Sequence, residues 1–168
     1  MKYKGLSRIW HHLIIPPWRV GSYFSPAGLS QIEAAITEAE RTHKGEIRFV
    51  VECSLDNSEL FRNVTAKARA IEVFSHIHMW DTEHNNGVLI YLLLADRDVE
   101  IVADRGIHQH VGHNGWEAIC KEMEAMFRRG EFEAGVLLGI DKISATLQTH
   151  YPSSGKSKNE LSNKPLIL

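Results

Sequence analysis

Apolar positions in this chain follow two periodicities that alternate along its length. Within residues 2–20, Tyr3, Leu6, Ile9, Trp10, Leu13 and Ile14 recur at helical spacing, and Pro16-Pro17 stops the pattern. A second helix is expected from Ser25-Pro26, a cap followed by a proline suited to the first turn. Leu29, Ile32, Ala35, Ile36 and Ala39 form its apolar face, Glu33, Glu38, Glu40 and Arg41 fall largely elsewhere, and Gly45 closes it. Residues 46–53 (EIRFVVEC) read as a strand. Asp56-Asn57-Ser58 then caps a long helix expected to run to about His76, with Leu60, Phe61, Val64, Ala68, Ile71 and Phe74 on its apolar face. The unbroken apolar run 87–95 (GVLIYLLLA) predicts a central strand covered on both faces. Asp96-Arg97 turns it into an antiparallel partner over 99–103, and Asp104-Arg105-Gly106 ends that partner. Residues 106–114 read as a loop, 116–129 as a helix broken at Gly130, and 132–151 as a final helix.

Strand, helix, strand and return strand in this order imply a right-handed βαβ crossover followed by a hairpin. The expected architecture is a three-layer α/β/α sandwich with a mixed sheet and helices on both faces. It divides into an amphipathic helix at 1–20, a main domain at 25–151 and a tail at 152–168, of which 153–164 is expected to be mobile because it is rich in Ser, Lys, Asn and Gly.

Composition narrows the partners. A formal charge of −2 over 168 residues argues against a protein whose main work is to neutralise nucleic-acid phosphate. No apolar run reaches the ~18 residues of a membrane span. His11, His12, Pro16 and Pro17 interrupt any export-signal core, so the cytoplasm is the expected compartment. Lys2, Lys4, Arg8, His11 and His12 give the 1–20 helix a cationic side. It is therefore expected either to lie on an anionic membrane surface, peripheral to the inner membrane, or to pack on its own domain or on a second copy. Cys53 and Cys120 form no CxxC motif and read as free buried thiols.

The topology gathers candidate chemistry. The starts of the first two strands and the end of the third share one sheet edge, which brings together Glu46, the loop 81–86 and the segment 104–113. Glu46, Asp81, Glu83 and Asp104 could offer oxygens to Ca2+ or Mg2+, with Asn85 and Asn86 as neutral donors. His84 and His108, or the set His108, His110 and His113, would instead suit Zn2+. The alternative is plain turn chemistry, since Asp81, Asn85, Asn86 and Asp104-Arg105-Gly106 are also good turn formers. No nucleophile elbow or phosphate-cradling glycine loop is present. A phosphatase reaction would need a metal-bound water, with Asp81 or Asp104 holding the ion and Arg105 neutralising a phosphate oxygen.

Several of these pieces resemble the TPM domain family, named after a thylakoid-lumen protein, a photosystem II repair protein and a nematode receptor modulator. They are Gly45-Glu46, Asn85-Asn86-Gly87-Val88-Leu89, Asp96-Arg97, and Val102-Ala103-Asp104-Arg105-Gly106-Ile107. A helix bearing Phe127, then Gly130, then a helix with Gly135 and Gly139 completes the pattern. The resemblance runs from about Pro26 to Tyr151 and is closest to small cytoplasmic bacterial members. It implies an α/β sandwich and either a regulatory, partner-binding role with divalent-ion binding or a metal-dependent acid-type phosphatase. The chain is expected to depart from the family in carrying neither a signal peptide nor a membrane helix. It also carries His108, His110 and His113 where an aliphatic, acidic segment is expected.

Overall fold

The computed structural model describes residues 6–14, 19–153, 155 and 160–168. Its elements, in chain order, are α1 (Leu6–Ile14), α2 (Val20–Tyr23), α3 (Pro26–Ala39), β1 (Ile47–Glu52), α4 (Asn57–Phe61), α5 (Ala66–His76), β2 (Val88–Leu93), β3 (Asp98–Ala103), α6 (Arg105–Arg128), α7 (Phe132–His150) and β4 (Leu166–Ile167). The sheet order is β3-β2-β1-β4. β1 and β2 are parallel in the register Ile47↔Val88, and β3 returns antiparallel with Val88↔Ala103. Every residue of β2 is buried, as its unbroken apolar run requires of a central strand.

Alternation along the strands builds two cores. Phe49, Val51, Ile90 and Leu92 face Ile32 and Ile36 of α3, Met123 and Phe127 of α6, and Val136, Ile140 and Ile143 of α7. Val50, Leu89, Tyr91 and Leu93 face Leu60 of α4 and Ala70, Val73 and Phe74 of α5. The expected α/β/α layering is therefore present. Among the described residues no helix is long and apolar enough to cross a membrane.

Four local expectations change. The helix from Pro26 ends with Glu40 as its C-cap, five residues before Gly45. The long helix after Asp56 is two helices: Asn63 adopts φ 53°, and Thr65 opens the second by accepting from the Ala68 amide. Residues 106–114 are not a loop but the start of α6, which bends where Gly112 takes φ 69°. The reading of 153–164 as mobile, and of the tail as free to its end, is corrected at 160–168, where Leu166 and Ile167 pair in parallel with Val50 and Val51 of β1. Residues 154 and 156–159 of that tail lie outside the described residues.

α1 docks on its own domain. The Arg8 guanidinium reaches Asp96 at 2.8 Å and the Val64 carbonyl at 2.7 Å. His12 accepts the Leu55 amide at Nδ1 (3.0 Å), so its proton sits on Nε2 and is donated to Asp96 (3.1 Å). The helix is anchored by polar groups, while Trp10, Leu13 and Ile14 are 66%, 59% and 52% exposed. Of its predicted face, Tyr3 and the cations Lys2 and Lys4 lie outside the described residues, as do Pro16 and Pro17.

Candidate functional site

Strand register delivers three distant segments to one end of the sheet. The Val88 amide donates to the Glu46 carbonyl at 2.8 Å, and the Asp104 amide donates to the Gly87 carbonyl at 2.9 Å. Glu46, Asn86 and Asp104 thus stand in adjacent rows, as the topology predicts.

Their side chains do different things. Glu46 is 2% exposed and accepts from the Glu160 and Leu161 amides at 3.0 and 3.2 Å, so it clamps the returning tail. Burial raises its carboxyl above the ordinary value. Asn86 donates from Nδ2 to the Lys44 carbonyl (3.1 Å), which leaves its buried Oδ1 with no partner among the described residues. Asp104 caps α6 through Oδ1, which accepts the Arg105 amide at 2.7 Å; its buried Oδ2 is likewise unpartnered. Two backbone oxygens converge on the same turn. A Cβ at Gly106 would lie 2.4 Å from the Asn85 carbonyl oxygen and 2.6 Å from that of His84, so only glycine lets the loop close on the first turn of α6.

The other predicted ligands are not gathered there. Asp81 and Glu83 are exposed, and Glu83 meets Glu160 only through its amide. Arg105 is exposed at the start of α6. The His84 ring stacks 6.4 Å from Tyr151, and His110 stacks 4.4 Å from His150. His108 and His113 line a separate groove along β3. Among the described residues no three His, Cys, Asp or Glu side chains form a group that could hold a metal ion.

Sequence reading missed Glu40, Arg48 and Asn163. With Glu46, Thr37 and Asn163, Glu40 lines a cavity of about 260 Å3 beside the edge. Its Oε1 accepts the Ile47 amide at 2.9 Å, and burial pushes its carboxyl up to about 8. Arg48 donates to the Ser162 carbonyl, and burial lowers its guanidinium from the usual value. One signal was available: Glu40 lies four residues beyond Ile36, on the buried stripe of α3 rather than away from it.

A family model described as the TPM domain matches residues 20–146. Among solved structures, the chain is similar to the BA42 protein of the psychrophilic bacterium Bizionia argentinensis, determined by NMR. The two are 29% identical with a TM-score of 0.75, over 85% of this chain and 94% of that one. The N-terminal domain of a protein from P. gingivalis shares the fold at 16% identity and a TM-score of 0.63, over 82% of this chain and 92% of that one. No curated protein matches.

Proposed function

We propose that this chain, which belongs to the TPM domain family, is a partner-binding, regulatory module that takes a hard divalent cation at the strand-start edge. One observation carries the cation reading: the orphaned oxygens of Asn86 and Asp104 lie on the edge where Gly106 admits the His84 and Asn85 carbonyls. All four are oxygens and one belongs to a carboxylate, a donor set that suits Ca2+ or Mg2+, with water completing the shell. Zn2+ fits less well, because the His84 and His108 rings are engaged or placed elsewhere. Asn86 and Asp104 would hold the ion, and Asp104 would keep α6 capped while doing so.

The test is a melting curve of chelator-treated protein with Ca2+ or Mg2+ added. Ligand at a hundredfold excess over Kd adds about 2.7 kcal/mol of stability. Asp104→Asn should abolish the shift without unfolding the chain. A generic phosphomonoester should not be turned over. Turnover lost in both Asp81→Asn and Asp104→Asn would replace this reading with the metal-dependent phosphatase.

The outward Trp10, Leu13 and Ile14 support a second contact, with a membrane surface through α1. Flotation with anionic liposomes should then be stronger for the full chain than for one lacking residues 1–20. Equal flotation removes that contact.

A further inference from the structure

We infer that the outer edge of β3 is a docking groove for an extended, basic peptide segment of a partner protein, which would add to the sheet as a fifth strand. The inference rests on the partner-binding half of the proposed function and on none of its cation half.

Among the described residues β3 closes the sheet on one side and pairs with β2 alone. The Asp104–Gly87 hydrogen bond fixes the alternation: 98, 100, 102 and 104 bond inward, so the backbone groups of Val99, Ile101 and Ala103 point away from β2, Val99 being buried and Ile101 and Ala103 partly exposed. The edge is not flat. It forms the floor of a groove of about 320 Å3, with Lys67 and Ile71 of α5 on one side and Trp116, Glu117, Lys121 and Glu124 of α6 on the other.

Two donors in this groove lack a strong acceptor. The Ile101 amide bonds the Cys120 thiol of α6, a weak acceptor. The indole Nε1 of Trp116 has no partner among the described residues, although the residue is 3% exposed. A buried donor left unsatisfied is costly, and a peptide carbonyl would supply the missing acceptor. Strand addition supplies such carbonyls at alternate residues.

Charge selects the occupant. Asp98, Glu100, Glu117 and Glu124 line the groove with Lys67, Lys121, His108 and His113; Lys121 pairs with Glu117 at 2.9 Å, and the lining as a whole carries more carboxylates than ammonium groups. A second copy would oppose acidic edge to acidic edge, and the helix walls would obstruct it. A strand alternating apolar and basic residues meets no such conflict, and the half-exposed Ile71 offers it an apolar shelf.

The probe is a capped peptide alternating valine and lysine, titrated into the full chain in the presence of chelator and followed by amide NMR. Saturable binding should protect the Val99, Ile101 and Ala103 amides from exchange. N-methylation of alternate backbone positions, which leaves side chains intact, should weaken binding about tenfold or more. A valine–glutamate peptide should bind more weakly than the lysine peptide. Trp116→Phe should also weaken binding; the N-methylated peptide reads the same loss on unaltered protein. Equal binding of the methylated peptide, shifts confined to another surface, no binding at millimolar peptide, or a dimer formed through β3 would each overturn the inference. None of these readouts depends on the cation-induced melting shift.

Discussion

The two ends of one sheet treat the same side chain in opposite ways. Where the strands finish, carboxylates are given cations. Glu52 is gripped by both arms of the Arg69 guanidinium at 3.0 Å and accepts the Tyr91 hydroxyl. Asp96 takes Arg8 and His12; burial pushes its carboxyl up, but those bonds outweigh burial and hold it below the usual range. Where the strands start, Glu40 and Glu46 are buried against backbone amides, and burial raises both. Charge at the first end is compensated and holds the fold together. At the second end charge is costly, and oxygens are left without partners. That difference, more than the number of acidic residues, separates a structural cluster from a candidate site.

The sharpest way to break this comparison is to make the same substitution at each end. Glu52→Gln removes one of the three carboxylates around Arg69, leaving Glu59 and Glu72, and should destabilise the chain by about 2–3 kcal/mol in urea denaturation. Glu40→Gln should act in the opposite direction. The folded carboxyl titrates at about 8 against an ordinary 4.5, so its contribution is fully present below pH 4.5 and is lost as pH rises through about 8. The glutamine variant escapes that loss. It should be more stable than the parent by about 2 kcal/mol at pH 9 and no more stable at pH 4. Losses of equal sign at pH 9 would mean that the two ends are alike. A smaller effect is expected from Leu161→Pro, which deletes one amide bonded to Glu46; about 1–2 kcal/mol should be lost in a thermal melt. The smallest belongs to a pair at neither end. Arg41 and Glu38 meet at 2.6 Å but are each 70% exposed, and Arg41→Ala should change stability by less than about 0.5 kcal/mol.

Much of the fold was legible because its signals are local. Ser25-Pro26 caps α3, Asp56 with Glu59 forms a capping box, Gly130 takes φ 82° between α6 and α7, and an apolar run marks β2. The errors have physical causes. Gly106, Gly112 and three histidines made the start of α6 look like a loop. Yet Gly106 is required by a close carbonyl, and Gly112 is a kink at which two helical stretches meet rather than part of a loop. Asn63 and Thr65 signalled the break between α4 and α5, but continuous helical periodicity masked them. β4 has two residues and forms only because β1 offers it an edge, so no local pattern announces it. Site residues divide the same way. Topology placed Glu46, Asn86 and Asp104 together from the sequence. The tail clamp on Glu46 and the cavity beside Glu40 depend on partners more than a hundred positions away, such as Leu161, 115 residues beyond Glu46.

That separation bears on how the molecule folds. β1, β2 and β3 can assemble through nearby crossovers, whereas β4 closes a loop spanning most of the chain, the kind of contact that is slow to form. Until it docks, the β1 margin of the sheet is uncovered at Val50 and Val51, where no charge or bulge discourages pairing with another molecule. Refolding at high concentration should therefore favour aggregation during the interval before residues 160–168 settle, and dilution should spare it.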